Sequence, residues 1–313
     1  MRDLAHTVRP SKFAARAFLA FAVFAFVVAF VPTASGTSGG LYLTSDTTLT
    51  EDHYGTIFVA AENVTLDCAG HAVIGEDVGV GIYLGANGVT VTNCTVEGFA
   101  TGIQTDARDA RIITNTLNHN GEGLRLGGAT GATVSGNTAN NNDFWGILAC
   151  CKASDNTISD NQTKGNRVVG MTLNDASSNR VTGNVSVHNG SGFGIGLGSA
   201  FNTVSHNAAA NNIRSGFDFA LADNNTIDSN VSVNNGSGPN GGGFAFGPAN
   251  GNTVTNNVAM HNGSSGFNVF FASELNLFSG NHACQNFFGD AFDSSTGAGN
   301  IWSDNHFCNS VLP

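Results

Sequence analysis

Charge is scarce in this 313-residue chain. Only 11% of its residues are charged, against about 25% in average proteins, and Lys152 and Lys164 are the two lysines after position 36. Residues 1–36 hold four of the 12 basic and one of the 23 acidic residues, so the remainder has 8 against 22 and a formal charge of −14. Nucleic acids bind basic stripes, and this composition argues against a nucleic-acid partner.

Helical periodicity is missing as well. No window of about 10–12 residues spaces its apolar side chains at helical intervals. This disfavours leucine-rich and helical repeats, because each of their units needs a helical segment. The periodicity that is present is the two-residue alternation of strands.

Asparagine recurs instead, in three columns. The stretch from Asn202 to Asn212 reads N-T-V-S-H-N-A-A-A-N-N, and its three asparagine positions return every 22 to 27 residues. Repeats of this length indicate stacked units that bury their apolar faces against their neighbours. The anchor column is Asn115, Asn137, Asn161, Asn184, Asn207, Asn230, Asn257, Asn281 and Asn305; the second, five residues later, runs from Asn120 to Asn286, and the third, five residues earlier, from Asn156 to Asn300.

Apolar residues share this period. One lies three residues before each anchor asparagine, and two more, separated by a single residue, follow a glycine about nine residues after it. Such spacing predicts three short strands per unit, and therefore a coil of parallel strands. The two columns after the glycine include the pairs Leu124 with Leu126, Met171 with Leu173, Ile195 with Leu197, and Phe217 with Phe219.

The asparagines are assigned to the bends of this coil. Asparagine tolerates the left-handed backbone conformation that a sharp turn requires. At the strand spacing of about 4.8 Å, each side-chain amide can donate to the carbonyl of the next. The sequence therefore predicts an all-β, single-stranded parallel β-helix of about eleven turns.

Three sequence patterns resemble right-handed parallel β-helix repeat proteins: NVTLDCAGHAVIG, NGVTVTNCTVEGF-ATGI and the recurring N-T-(V/I)-x-x-N. That group includes pectate-lyase-like and mannuronan-epimerase-like enzymes and periplasmic NosD-like copper-associated proteins. The resemblance covers nearly all of the chain after residue 36. It implies a right-handed coil and a role in binding or modifying an extracellular polysaccharide, with a non-catalytic surface or binding rod as the alternative.

The domain organisation is simple. Residues 1–36 combine four basic residues, an apolar run of 15 residues from Ala17 to Val31 and small residues after it, which is typical of a secretory signal peptide. The run is short for a membrane span, so no stable span is expected after cleavage, and the protein is expected to be extracellular or periplasmic. Residues 37–62 are predicted to cover the N-terminal end of the coil, and residues 63–313 to form the β-helix.

Six cysteines in an exported chain invite disulfide pairing. Cys284 and Cys308 each follow an anchor asparagine by three residues in successive turns, about 5 Å apart at the strand spacing, which a disulfide accepts. We predict this bond. The pairing of Cys68, Cys94, Cys150 and Cys151 stays open.

Metal sites find little support. His282 and His306 occupy equivalent positions in adjacent turns, but two histidines without further ligands make a poor site, so we predict no metal there. Calcium assists some lyases of this fold, yet no column of clustered acidic residues supports it. No cofactor is predicted.

Candidate chemistry lies on the outward side of the strands after the glycine. A uronan lyase or epimerase needs a cation for the sugar carboxylate, a base for the C5 proton and an acid for the proton that is returned. Arg125, Tyr83 and Asp106 can supply these groups. Gln104, Glu122 and Trp145 are the candidate substrate contacts, with Trp145 stacking on a sugar ring. The outward column is Tyr83, Gln104, Arg125, Leu148, Thr172, Gly196, Asp218, Ala245 and Asn268.

A second surface feature favours association. After the anchor asparagines, valines at Val185, Val187, Val231 and Val233 form an apolar stripe if the strand parity places them outward. If the parity inverts, they belong to the core. An exposed stripe of this kind marks a partner surface, and self-association through it is the corresponding expectation.

Overall fold

Three parallel β-sheets wrap around one apolar core in the computed structural model, which describes residues 36–236, 242–270, 272–295 and 299–311. The predicted fold is confirmed as a right-handed parallel β-helix, with about eleven coils after residue 62. The signal peptide predicted over residues 1–36 lies, apart from Gly36, outside the described residues, as does the 237–241 part of a glycine-rich insertion. Within the described residues no helix is long and apolar enough to cross a membrane.

The described residues form 38 strands, and each coil contributes one strand to each sheet in turn. Sheet 1 contains β1 (Gly36–Ser38), β4 (Asp52–Tyr54), β7 (Ala72–Ile74), β10 (Thr95–Glu97), β13 (Thr116–Asn118), β16 (Thr138–Asn140), β19 (Gln162–Lys164), β22 (Val185–Val187), β25 (Ala208–Ala210), β28 (Val231–Val233), β31 (Val258–Met260), β34 (His282–Cys284) and β37 (His306–Phe307).

Sheet 2 has the longest strands of the three. It contains β2 (Leu41–Leu43), β5 (Ile57–Val59), β8 (Val80–Leu84), β11 (Thr101–Thr105), β14 (Glu122–Gly127), β17 (Trp145–Cys150), β20 (Val169–Asn174), β23 (Ser191–Gly196), β26 (Phe217–Ala220), β29 (Phe244–Gly247), β32 (Ser265–Val269), β35 (Gly289–Asp293) and β38 (Ser310–Val311).

Sheet 3 completes each coil. It contains β3 (Thr47–Thr48), β6 (Thr65–Asp67), β9 (Thr90–Thr92), β12 (Arg111–Ile113), β15 (Thr133–Ser135), β18 (Thr157–Ser159), β21 (Arg180–Thr182), β24 (Thr203–Ser205), β27 (Thr226–Asp228), β30 (Thr253–Thr255), β33 (Leu277–Ser279) and β36 (Ile301–Ser303). The segment 37–62, predicted as a cap, thus supplies the first strands of all three sheets.

The asparagine columns are buried hydrogen-bonded ladders, one at each corner of the coil. The Oδ1 atom of Asn207 accepts from the backbone N–H and the Nδ2 of Asn184, both at 3.0 Å. Its own Nδ2 donates to Asn230 Oδ1 at 3.0 Å and to the Val181 carbonyl at 2.9 Å. Each ladder amide is therefore bonded to the coil before it and the coil after it.

The residues with a left-handed backbone conformation are not the ladder asparagines. The prediction that ladder asparagines adopt this conformation is wrong: the residue before each one does. Examples are His206, Asn211 and Asn224, with φ of 57°, 55° and 57°, while Asn207 and Asn212 are buried and have no positive φ. The left-handed residue turns the chain at the corner, and the side chain of the ladder asparagine that follows it points inward.

Large and small residues face each other across the core. Inward-facing phenylalanines of sheet 2 stack in register, with ring centroids 4.7 Å apart for Phe193 and Phe217 and 4.9 Å for Phe244 and Phe267. The inward side chains of sheet 1 in the same coils are small, among them Ser186, Ala209, Ser232 and Ala259. The large side chains of sheet 2 are thus matched by small ones on sheet 1, as close packing requires.

The phenylalanine stack also sets the register of β23. The core pair expected at Ile195 and Leu197 is wrong by two residues, because the structure buries Phe193 and Ile195 and leaves Leu197 64% exposed at φ 54°. Burying the larger Phe193 side chain on Phe217 determines the choice. Consequently Gly194, not Gly196, lies in the outward column between Thr172 and Asp218.

Two disulfides link neighbouring coils. The predicted Cys284–Cys308 bond is present, with 5.1 Å between the two Cα atoms. Cys68 and Cys94, left open by the sequence, are also bonded, with a Cα separation of 4.7 Å. Cys150 and Cys151 are not bonded to any other cysteine.

Two adjacent asparagines test the ladder. Replacing Asn212 with leucine, a side chain of similar size, removes the acceptor of the Asn189 N–H and the donor to Asn235 Oδ1 and the Ser186 carbonyl. Buried polar groups left without partners cost about 1–3 kcal/mol each. We expect a loss of about 3 kcal/mol in the free energy of unfolding, measured by urea denaturation.

Asn211→Gly is the matched control. Asn211 is exposed and left-handed, a conformation that glycine adopts freely, so we expect the stability to change by less than about 1 kcal/mol. Equal losses in the two variants would contradict the ladder as the source of stability.

Candidate functional site

The outer face of sheet 2 brings the predicted site residues together in one row. Gln104 pairs with Tyr83 on one side and with Arg125 on the other. Neighbouring parallel strands lie about 4.8 Å apart, so the Tyr83 and Arg125 backbones are separated by roughly 10 Å. The three side chains project outward and are partly exposed.

Tyr83 and Asp106 form one hydrogen-bonded pair. The Tyr83 phenol donates to Asp106 Oδ1 at 2.9 Å. Burial, together with the neighbouring Asp106 carboxylate, raises the pKa of Tyr83 above its ordinary value. Tyr83 is therefore a phenol at neutral pH, and Asp106 is the hydrogen-bond acceptor of the pair.

Arg125 and Glu122 form a second pair. The Arg125 guanidinium lies 3.4 Å from Glu122 Oε1, while Glu122 Oε2 is buried without a hydrogen-bond partner. Burial raises the pKa of Glu122, and the positive charge of Arg125 opposes that rise. Glu122 thus retains its proton to a higher pH than an exposed glutamate.

Trp145 adjoins Glu122. The register of β14 and β17, which pairs Leu124 with Ile147, places Glu122 opposite Trp145. Trp145 is half-buried, and its ring lies 5.8 Å from that of the exposed Phe144. Phe144 and Trp145 therefore lie beside the row of polar groups, on the side that faces sheet 1.

The same row extends toward the N-terminus as aromatic side chains that were not predicted from the sequence to belong to the site. Tyr42 and Phe58 lie in register with Tyr83, with ring centroids 5.3 Å apart for Tyr42 and Phe58 and 5.2 Å for Phe58 and Tyr83. The available signal was parity, because each residue is the middle of an apolar three-residue strand, as in Leu41-Tyr42-Leu43.

A shallow groove lies farther along this face. It has a volume of about 190 Å³ and is open because Gly194 lacks a side chain between Thr172 and Asp218, and Gly196 lacks one between Asn174 and Ala220. Burial raises the pKa of Asp218, against the opposing charge of Arg214. Asp218 belongs to the predicted outward column but has no predicted role, because the two-residue difference in the register of β23 concealed the groove.

The histidines at the C-terminal end lie next to the second disulfide. The His282 and His306 rings stack with centroids 4.9 Å apart, and the ligating atoms of these two residues and Cys284 lie within 4.8 Å of one another. Cys284 is bonded to Cys308, so it offers no thiolate, and the cluster has two free nitrogen ligands.

The chain matches known β-helices in sequence and shape. A family model described as "Right handed beta helix region" matches residues 79–232. No curated protein shows significant sequence similarity to the chain.

Three solved structures illustrate the similarity in shape. A periplasmic alginate epimerase superposes with a TM-score of 0.62 at 14% identity, covering 86% of this chain and 76% of its own. The catalytic unit of a thermostable α-1,3-glucanase from Streptomyces thermodiastaticus gives 0.65 at 17%, covering 86% and 62%. The mannuronan C-5 epimerase A-module of Azotobacter vinelandii gives 0.58 at 12%, covering 86% of each chain. At these identities the likeness establishes the fold.

The Glu122 titration tests the electrostatics of the site. Because the Arg125 charge is what lowers the Glu122 pKa against its burial, Arg125→Gln is expected to raise that pKa further. The measurement is carboxyl ¹³C NMR of the two proteins from pH 3 to 8. This range covers the glutamate pKa values of folded proteins, which deviate from the ordinary value by about 1 unit and by more at buried sites. A Glu122 pKa that is unchanged or lowered in the variant would refute this arrangement.

Proposed function

We propose that this right-handed parallel β-helix protein is exported and binds or modifies an extracellular polysaccharide. The observation that carries the proposal is the continuous outward row on sheet 2, in which Tyr42, Phe58 and Tyr83 lead to Gln104 and Arg125. Aromatic faces bind the apolar faces of sugar rings, and amide and guanidinium groups bind hydroxyls and carboxylates.

The export part of the proposal rests on different features. Disulfides persist in oxidising compartments, and the chain contains two of them. Together with the signal-like residues 1–36, they favour a periplasmic or extracellular location. The alginate epimerase that superposes on the chain is itself periplasmic.

A uronan is the substrate class that best fits the charges. A sugar unit over Gln104 would lie between the Tyr83–Asp106 pair and Arg125. Arg125 would neutralise the sugar carboxylate, which stabilises the charge that develops when the C5 proton leaves. Asp106 would accept that proton and the Tyr83 phenol would supply the returning one, as a lyase or C5-epimerase requires.

Glu122 and Trp145 complete the proposed contacts. Glu122 would form a hydrogen bond with a hydroxyl of this sugar unit. Trp145 would stack on the same unit. Two of the three superposed proteins act on alginate or mannuronan, by their names, which supports a uronan over a neutral glycan.

Arg125→Gln tests the role of the cation. Removing a charged hydrogen bond costs about 1.5–3 kcal/mol, so we expect polymannuronate or polygalacturonate to bind about 10 to 100 times more weakly. The measurement is isothermal titration calorimetry with defined oligosaccharides, alongside ultraviolet detection of unsaturated products for turnover.

The matched control is Arg180→Gln. Arg180 is exposed on the outer face of sheet 3, so its removal changes the net charge equally but should leave uronan affinity within about twofold, as expected for a screened distant charge. The proposed site is incorrect if the two variants bind alike.

A non-catalytic binding rod is the second candidate, and the parity of sheet 1 favours it. The structure places Val185, Val187, Val231 and Val233 outward, and Val185 and Val231 are each 39% exposed. The small residues between them, Ser186 and Ser232, face the core instead. An apolar stripe on a flat face suits association with a second copy of the chain.

Charge insertion tests this surface. We expect the wild-type protein to sediment as a dimer in analytical ultracentrifugation, and Val185→Lys with Val231→Lys to sediment as a monomer, because lysines resist burial in an apolar interface. Thr226→Lys, at an exposed position on sheet 3, should leave the dimer intact. A monomeric wild type would rule out self-association at this stripe.

A further inference from the structure

Cys150 and Cys151 are the two cysteines that the disulfides leave over. Cys150 ends β17 and is buried, whereas Cys151 is exposed and left-handed, with φ of 64°. Their Sγ atoms lie 2.8 Å apart, well inside the separation of two thiols in ordinary contact. The backbone turn thus holds both sulfurs on the same side of the chain.

We propose that this pair is a modification site, at which a disulfide oxidant joins Cys150 and Cys151 into a third, vicinal disulfide that is more easily reduced than the other two. The proposal is independent of the proposed function. It rests on the contact between the two sulfurs and on the spacing of adjacent residues along the chain.

That spacing makes the vicinal bond the reducible one. Adjacent Cα atoms are about 3.8 Å apart across a trans peptide, whereas disulfides prefer about 4.4–6.8 Å, and bonds outside this range are strained and more reducible. The Cα separations of 4.7 Å for Cys68–Cys94 and 5.1 Å for Cys284–Cys308 fall within the range. Those two bonds are therefore the structural ones.

The exposed sulfur begins the reaction. Cys151 is exposed and Cys150 is buried, so an external reagent reaches Cys151 first. Burial also raises the pKa of the Cys150 thiol to about 12, although the charge of Arg125 opposes that rise. The Cys151 thiol gives up its proton, and the resulting thiolate attacks one sulfur of oxidised glutathione. The attack forms a mixed disulfide and releases the other glutathione as a thiolate, which takes up the proton from Cys151.

The buried sulfur completes it. Cys150 gives up its proton and attacks Cys151 Sγ, and the second glutathione leaves and takes up that proton. Two cysteine thiols are oxidised and one oxidised glutathione is reduced to two thiols, so atoms and electrons balance. The positive charge of Arg125, which lowers the pKa of Cys150 against its burial, stabilises the thiolate that forms on the way.

The test is thiol mapping of the full chain in glutathione buffers of graded ratio. After equilibration, the protein is acid-quenched, denatured without reductant, alkylated with iodoacetamide and digested for mass spectrometry. In oxidised glutathione we expect the peptide with Cys150 and Cys151 to be unalkylated and two hydrogens lighter than its dithiol form. As reduced glutathione increases, both should become alkylated before the other four cysteines.

Cys150→Ser supplies the control for access. It leaves Cys151 without a partner, and we expect that residue to retain one glutathione as a stable mixed disulfide. The proposal is overturned if the wild-type pair is alkylated in oxidised glutathione, if either cysteine is found bound to glutathione or to a second chain, or if the pair opens only together with the other two disulfides.

Discussion

A buried asparagine side chain that bonds to the coil before it and the coil after it is the interaction on which this fold depends. Its carbonyl oxygen accepts from the preceding asparagine and its amide donates to the following one, as in Asn184, Asn207 and Asn230. Isolated in an apolar core, such an amide would be costly. In register it has all of its partners, and any coil that shifts would leave several of them unpaired. The ladders therefore fix register as well as stability.

Fixed register is what makes the outer face usable. Because every coil repeats the same corners, side chains at equivalent positions align along the axis at the strand spacing. Tyr42, Phe58 and Tyr83 stack into an aromatic row, and Gln104 and Arg125 continue it. None of these residues is near another in sequence. Sugar recognition on this face would thus depend on the alignment of side chains from successive coils. The chemistry at each position would depend on the outward residue of that coil.

Much of the fold and of the candidate site could be predicted from the sequence, because each structural feature recurs in every repeat. The asparagine columns predicted the coil, the position of Cys284 and Cys308 predicted their bond, and strand parity predicted the Tyr83, Gln104 and Arg125 row. The features that could not be predicted were those in which two local arrangements fit the sequence about equally well. The pair of Phe193 and Ile195 and the pair of Ile195 and Leu197 compete for the same two core positions, and the packing of Phe193 on Phe217 decides between them. Similarly, Cys68 is opposite Asn93 rather than Cys94, so its diagonal bond to Cys94 cannot be read from a column. The Tyr83 and Glu122 pKa directions depend on burial, which a sequence does not contain.

Side-chain amide hydrogen exchange, resolved by ¹⁵N NMR, measures the ladders most directly. Ladder asparagines such as Asn207 and Asn212 should exchange their Nδ2 protons as slowly as the sheet backbone, because releasing them requires neighbouring coils to separate. The exposed corner asparagines, such as Asn211 and Asn234, should exchange at the rate of a free amide. If ladder and corner asparagines exchange equally fast, the coils are not held together by buried amides, and this explanation of the fold is contradicted.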